Sequence, residues 1–109
     1  MKVRWNRQSK EQLRQTAHYI REEFGGKAMD ESMQAVQHIN KLIADNPNLG
    51  SAEPFLTDLP TQYRSIVVRH LNKIVYHIED SYIKVIAFWD TRREPNKLYE
   101  QAIALDEKK

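Results

Sequence analysis

The chain has no cysteine, and only three glycines and four prolines in 109 residues. Without thiols there is no disulfide framework, no thiolate zinc site and no cysteine nucleophile, so stability rests on a packed core and a reducing compartment is implied. No window approaches the ~18 successive apolar residues of a membrane span. The N-terminal MKVRWNRQSKEQLR has no apolar stretch behind its positive charges, which argues against an export signal. These absences lead to the expectation of a cytoplasmic protein, neither exported nor embedded in a membrane. There is also no glycine-rich phosphate loop, and Asn48-Leu49-Gly50-Ser51 reads as a plain connection. The histidines, His18, His38, His70 and His77, lack close-spaced partners of the His-x-x-x-His kind, so neither a metal nor another cofactor is expected.

What is present is ordinary for a globular domain: 40% hydrophobic and 29% charged residues. The length is that of a single domain, 1–109, with one core. The net charge of +2 is unevenly spread. Residues 61–99 hold seven Lys/Arg against four Asp/Glu, whereas residues 1–60 balance at eight against eight. A basic half on a neutral half suits a phosphate-facing surface, although so small an excess also arises by chance.

Val3 and Trp5 alternate with Lys2 and Arg4, which predicts a brief strand over Lys2–Asn6. Ser9 and Gln12 have the spacing of a capping box, and Leu13, Ala17, Ile20 and Phe24 follow at helical spacing up to Gly25-Gly26. A second helix is predicted from about Lys27 to Asp45, striped by Met29, Met33, Val36, Ile39 and Ile43 and stopped by Asn46-Pro47. Two helices joined by two glycines form an antiparallel hairpin, and stripes of this spacing bury against a core. Residues 48–61 read as a loop. Tyr63–Val68, Lys73–Ile78 and Tyr82–Trp89 read as strands, the last two a hairpin about Glu79-Asp80-Ser81. Pro95 can open a short helix carrying Leu98, Ala102 and Leu105, and Asp106–Lys109 reads as a loose tail.

The expected class is therefore α+β: an N-terminal strand and a helical hairpin on one face of an antiparallel sheet of three to four strands, with a short C-terminal helix. Alternation predicts that Ile74, Tyr76 and Ile78, with Ile83, Val85, Ala87 and Trp89, face the helices. The other face would then hold Arg64, Ile66, Val68, Lys73, Val75, His77, Lys84, Ile86 and Phe88, half polar and open.

What remains to carry chemistry is a basic and aromatic group: Arg64, Arg69, Lys73, Arg92 and Arg93, with Tyr63, Trp89 and Tyr99 among them. Cations beside aromatic rings hold phosphates and stack single-stranded bases, but edge strands also carry Lys and Arg simply to block unwanted pairing.

The stretch YRSIVVRHLNKIVYHIEDSYIKVIAFWDTRREPNKLYEQA, Tyr63 to Ala102, resembles the C-terminal half of the RelE/ParE toxins of type II toxin–antitoxin systems. The shared pattern is a Tyr-Arg opening a strand, a basic residue before an Ile-Val-Tyr strand, an acidic turn, and a third strand ending in Arg-rich sequence. The helical hairpin upstream matches the same fold. The resemblance implies a toxin held inactive by a cognate antitoxin.

Two branches stay open, with messenger RNA cleavage the reading put first and gyrase inhibition its alternative. In ribosome-dependent messenger RNA endoribonucleases like RelE, a ribose 2′-hydroxyl attacks its neighbouring phosphate without a metal, and cations stabilise the charge that gathers on phosphorus. Carried onto this chain, the resemblance gives Arg64, Lys73 and Arg93 as the charge clamp and Tyr99 as the residue that stacks on the base or donates a hydrogen bond. Ile66 stands where such a ribonuclease has a lysine proposed as base, and Glu53, similar to a glutamate of the YoeB-like members, would substitute for it. The partners of this branch are the ribosome and messenger RNA. In the ParE branch the toxin inhibits DNA gyrase by binding it. WDTRREPNKL is similar to endings of members described only as plasmid-stabilisation proteins, so it does not choose between the branches. Ile66 is also compatible with a member that only binds its antitoxin.

Overall fold

The computed structural model describes residues 1–69 and 71–107; His70 and the tail residues 108–109 lie outside it. Its elements run β1 (Lys2–Trp5), α1 (Arg7–Phe24), α2 (Gly26–Asp45), β2 (Ser51–Ala52), a 3-10 turn (Pro54–Leu56), β3 (Arg64–Val68), β4 (Asn72–Ile78), β5 (Tyr82–Asp90) and α3 (Pro95–Glu107). The α+β class is as expected, but the sheet has five strands in the order β1-β5-β4-β3-β2. It is mixed, because β1 runs parallel to β5 while the other neighbours are antiparallel. The fifth strand, β2, is a two-residue pairing in the segment read as loop, with Ser51 against Ser65 and Ala52 against Arg64.

The first helix starts earlier than the capping-box spacing suggests. Asn6 is the N-cap, its side chain accepting from Ser9 N at 2.8 Å. Ser9 is inside the helix and buried, its hydroxyl against Asn6 O and Val85 O. Gln12 is freed from capping and reaches the sheet. Gly25, at φ +94°, takes the positive-φ conformation that separates the two helices.

The hairpin covers one sheet face and builds a core from Val36 and Ile43 against Val68, Ile74, Tyr76, Ile83, Val85 and Phe88. Contrary to expectation the other face is not open. Leu98 and Ala102 of α3, with Leu56 of the 3-10 turn, cover Tyr63, Val75, Ile86, Ala87 and Trp89 in a second core.

Two features explain the faces that sequence alternation misassigned. A register shift between Val75 and Tyr76 pairs them with Ala87 and Val85, so Ile86 is an extra, bulged residue. A bulge turns two successive side chains to the same side. Beyond it the parity of β5 inverts, sending Ala87 and Trp89 to the α3 face and Phe88 to the helical hairpin. The second feature is β3, where Ile66, Val67 and Val68 are apolar in both parities, so sequence could not fix its face. The register sets Val67 against Lys73, and Arg64 against Tyr76, which puts Arg64, Ile66 and Val68 on the hairpin side. Ile66, Val68, Ile86 and Phe88, expected together on the open face, are thus divided between the two faces, and all but Ile66 are buried.

Candidate functional site

Glu53 sits at the start of the 3-10 turn, where Oε2 accepts from Phe55 N at 2.9 Å and its own N–H donates to Tyr63 O at 2.9 Å. Both bonds hold the carboxylate inward, under the loop, where it is almost fully buried. Its Oε1 forms an ion pair with Lys73 Nζ. Lys73 is nearly buried too, its ammonium 5.2 Å from the centre of the Phe55 ring. A lysine this enclosed is tolerated because the carboxylate and the ring face replace its water.

Lys73 stands directly opposite Trp89 of β5. Just past the strand, Arg93 lays its guanidinium 4.3 Å over the Trp89 ring, and its backbone N–H bonds Asp90 O. Glu53, Lys73, Trp89 and Arg93 therefore form a continuous row on the α3 face, with Phe55 as its cover. Tyr99 of α3 packs, half-buried, on the same core. Arg93 has no carboxylate within ion-pair distance among the described residues.

Arg64 is not part of this row. It lies on the opposite face, where its Nη1 donates to Gly50 O at 2.7 Å and Asn48 O at 3.4 Å. The hydroxyl of Tyr76, its cross-strand neighbour, accepts from Gly50 N at 2.9 Å and donates to Pro47 O at 2.7 Å. Gly50 is required here, because a Cβ would come within 2.8 Å of that hydroxyl and 2.9 Å of Ser65 O. Arg64 and Tyr76 thus clamp the connection that leads to Glu53. Arg92 pairs with Asp90 at 2.8 Å, and this bond holds the Asp90 carboxyl below its usual range. Arg69 faces Glu31 and Ser32 of α2.

Sequence reading missed Phe55, for which nothing but adjacency to Glu53 gave a signal, and Asp106, which it left in a loose tail. Asp106 Oδ1 accepts from Thr61 Oγ1 at 2.9 Å and from the Tyr63 hydroxyl at 3.1 Å, tying the last turn of α3 to the sheet. Burial first, then the Asp106 charge, push the Tyr63 hydroxyl well above its usual pKa. The Tyr63 ring meets His77 edge-to-face at 5.3 Å.

On the hairpin side a separate cleft of about 560 Å³ opens between the tip of the two helices and the ends of β3 and β5. Tyr19, Phe24 and Leu71 rim it, 51%, 68% and 45% exposed, above a floor that includes Val36, Val68 and Phe88.

No three His, Asp or Glu side chains converge as metal ligands among the described residues, and no helix among them is long and apolar enough to cross a membrane.

No curated protein matches this sequence. Among solved structures, the chain is similar to one described as the chromosomal ParDE toxin–antitoxin system from P. aeruginosa, at 14% identity and a TM-score of 0.68 over 83% of this chain and 95% of that one. It is also similar to the YoeB dimer from Staphylococcus aureus, at 20% identity and a TM-score of 0.58 over 85% of this chain and 98% of that one. At these identities the likeness is one of fold. The sequence model for the ParE toxin of the type II toxin–antitoxin system parDE matches residues 3–95, most of the length, and the chain belongs to that toxin family.

Proposed function

We propose that this toxin acts in the cytoplasm by binding its target, in the manner of the gyrase-inhibiting branch, and that a cognate antitoxin restrains it. The observation that supports this reading is the separation of the cations. A phosphate approaching Lys73 would find it enclosed with Glu53, while Arg64 lies across the sheet with its guanidinium on backbone carbonyls. A charge clamp for a pentacoordinate phosphate needs preorganised donors converging on one point, and of the three expected cations only Arg93 is exposed on the α3 face.

The row from Glu53 to Arg93 favours the second reading, cleavage of ribosome-bound messenger RNA with Glu53 as base. For that, Glu53 must leave Lys73 when RNA binds, and Arg93→Ala would lower the cleavage rate by roughly 10²-fold at equal soluble protein.

Induction of the toxin without antitoxin separates the two. Binding to gyrase predicts intact messages, loss of supercoiling and linear DNA trapped on the enzyme. New 5′ ends at ribosome-occupied codons within minutes, with normal supercoiling, would reverse the order.

A further inference from the structure

Along β1, Val3 and Trp5 turn toward the hairpin core, so Lys2 and Arg4 project from the opposite face. The parallel register sets Arg4 directly against Lys84 of β5, and Lys84 in turn pairs with His77 of β4. Three basic side chains lie in a row across three strands, with Lys2 beside them. Lys2, Arg4 and Lys84 have no carboxylate within ion-pair distance among the described residues. The nearby Glu79 is turned to His77, at 3.6 Å.

Like charges placed directly opposite in a sheet weaken the pairing. A sequence that keeps such a pair without an intervening anion breaks a local rule of stability, as proteins do where a surface has another use. We propose that Lys2, Arg4 and Lys84 bind the phosphodiester backbone of a nucleic acid, DNA or RNA, without reading its sequence.

The geometry selects this ligand. Arg4 and Lys84 sit on adjacent strands about 4.8 Å apart, close enough to share one phosphate through its two non-ester oxygens. Lys2, two residues along the strand, is displaced by about 6.6 Å, which lets it reach a neighbouring phosphate. A polypeptide partner would need an aromatic or aliphatic anchor at the centre of its contact. The row offers none: Tyr82 lies beneath the Arg4 guanidinium at 4.8 Å, and Val3 and Trp5 face the other way. Phosphate contacts need only the cations and make binding strongly salt-dependent. This surface is separate from the row that ends at Arg93 and does not depend on which target the toxin attacks.

The test is a salt series of about 50 to 200 mM on the full chain, with a labelled duplex DNA and, separately, a labelled single-stranded RNA. For Arg4→Gln with Lys84→Gln, affinity at low salt should fall about tenfold or more. The slope of log K against log salt should become shallower by about 0.9 on duplex or about 0.7 on single strand, the one shared phosphate contact in either case. The oligonucleotide whose binding falls identifies the source. The thermal midpoint should stay level or rise, since the like-charge opposition is gone. Lys27→Gln with Lys41→Gln, exposed positions on α2, should keep the slope. The proposal is overturned if the unaltered chain binds neither oligonucleotide, or if the slope survives in the Arg4/Lys84 variant, which would leave these cations as guards of a sheet edge. A lowered midpoint in that variant, or displacement by polyglutamate as effective as by unlabelled nucleic acid, would overturn it as well.

Discussion

The Tyr63 hydroxyl donates to a carboxylate from the far end of the chain, and its proton is held more tightly in the folded state than in the unfolded one. The sign of the pH effect follows. The folded pKa lies above the unfolded value of about 10, so the contribution is complete below pH ~10 and is lost as pH rises from there toward the folded value. Tyr63→Phe removes both the hydrogen bond and the ionisation. It should cost about 1 kcal/mol at pH 7, and the gap from the unaltered protein should narrow above pH ~10, where only the tyrosine form pays an ionisation penalty. Urea unfolding of both proteins across that range measures it; a constant gap would show that Tyr63 ionises equally easily in both states. Asp106 could not be found from sequence because its partners, Thr61 and Tyr63, lie more than 40 residues away and the last turn of α3 looks like any charged tail. Glu53, Lys73 and Arg93 were legible by type and position along the chain. That Glu53 and Lys73 enclose each other, and that Arg64 serves the Asn48–Gly50 connection instead, depends on registers no single residue declares.

Those registers belong to the strands, and the decisive one is the bulge at Ile86. The bulge exposes backbone groups that the ladder leaves unpaired, and two glutamines from opposite sides of the sheet satisfy them. Gln12 Oε1 of α1 accepts from Phe88 N at 3.0 Å, Gln101 Nε2 of α3 donates to Ile86 O at 2.8 Å, and Gln12 Nε2 donates to Gln101 Oε1 at 2.9 Å. One small network closes the edge of β5 beyond β1 and fixes α3 to α1. Gln101→Ala would leave the Ile86 carbonyl without this donor and Gln12 without its acceptor. It should cost about 1–3 kcal/mol, read as a lower urea midpoint at unchanged m-value. No loss would mean that water replaces the amide without penalty. The helices were legible because their apolar stripes have one period throughout. β5 was legible as a strand but not in its faces, since YIKVIAFWD is apolar at consecutive positions and carries no mark of where the extra residue falls.

Both faces of the sheet being covered, the toxin's exposed apolar surface moves to a place the sequence did not suggest. Tyr19 and Phe24 overhang the sheet from the hairpin tip, and Leu71 rises from the β3–β4 turn to meet them across the cleft. Small monomeric proteins rarely leave a contiguous patch of this kind without a partner. Under the toxin–antitoxin reading, an apolar stretch of the antitoxin fills this cleft, with the Arg69 and Arg92 side chains at its rim. Phe24→Asp with Leu71→Asp tests that without touching either core, since both side chains are largely exposed and such surface changes shift stability by only about 0.5 kcal/mol. If these two are anchors of the contact, each worth about 2 kcal/mol, antitoxin affinity should fall by about 700-fold in the double variant and about 30-fold in either single one. Cells expressing the variant together with its antitoxin should then stop growing, while the variant alone stays as toxic as the parent. Full rescue at unchanged affinity would place the antitoxin elsewhere. A folded variant that has lost its toxicity would instead assign the cleft to the target, and the two outcomes are told apart by growth with and without the antitoxin at equal soluble protein.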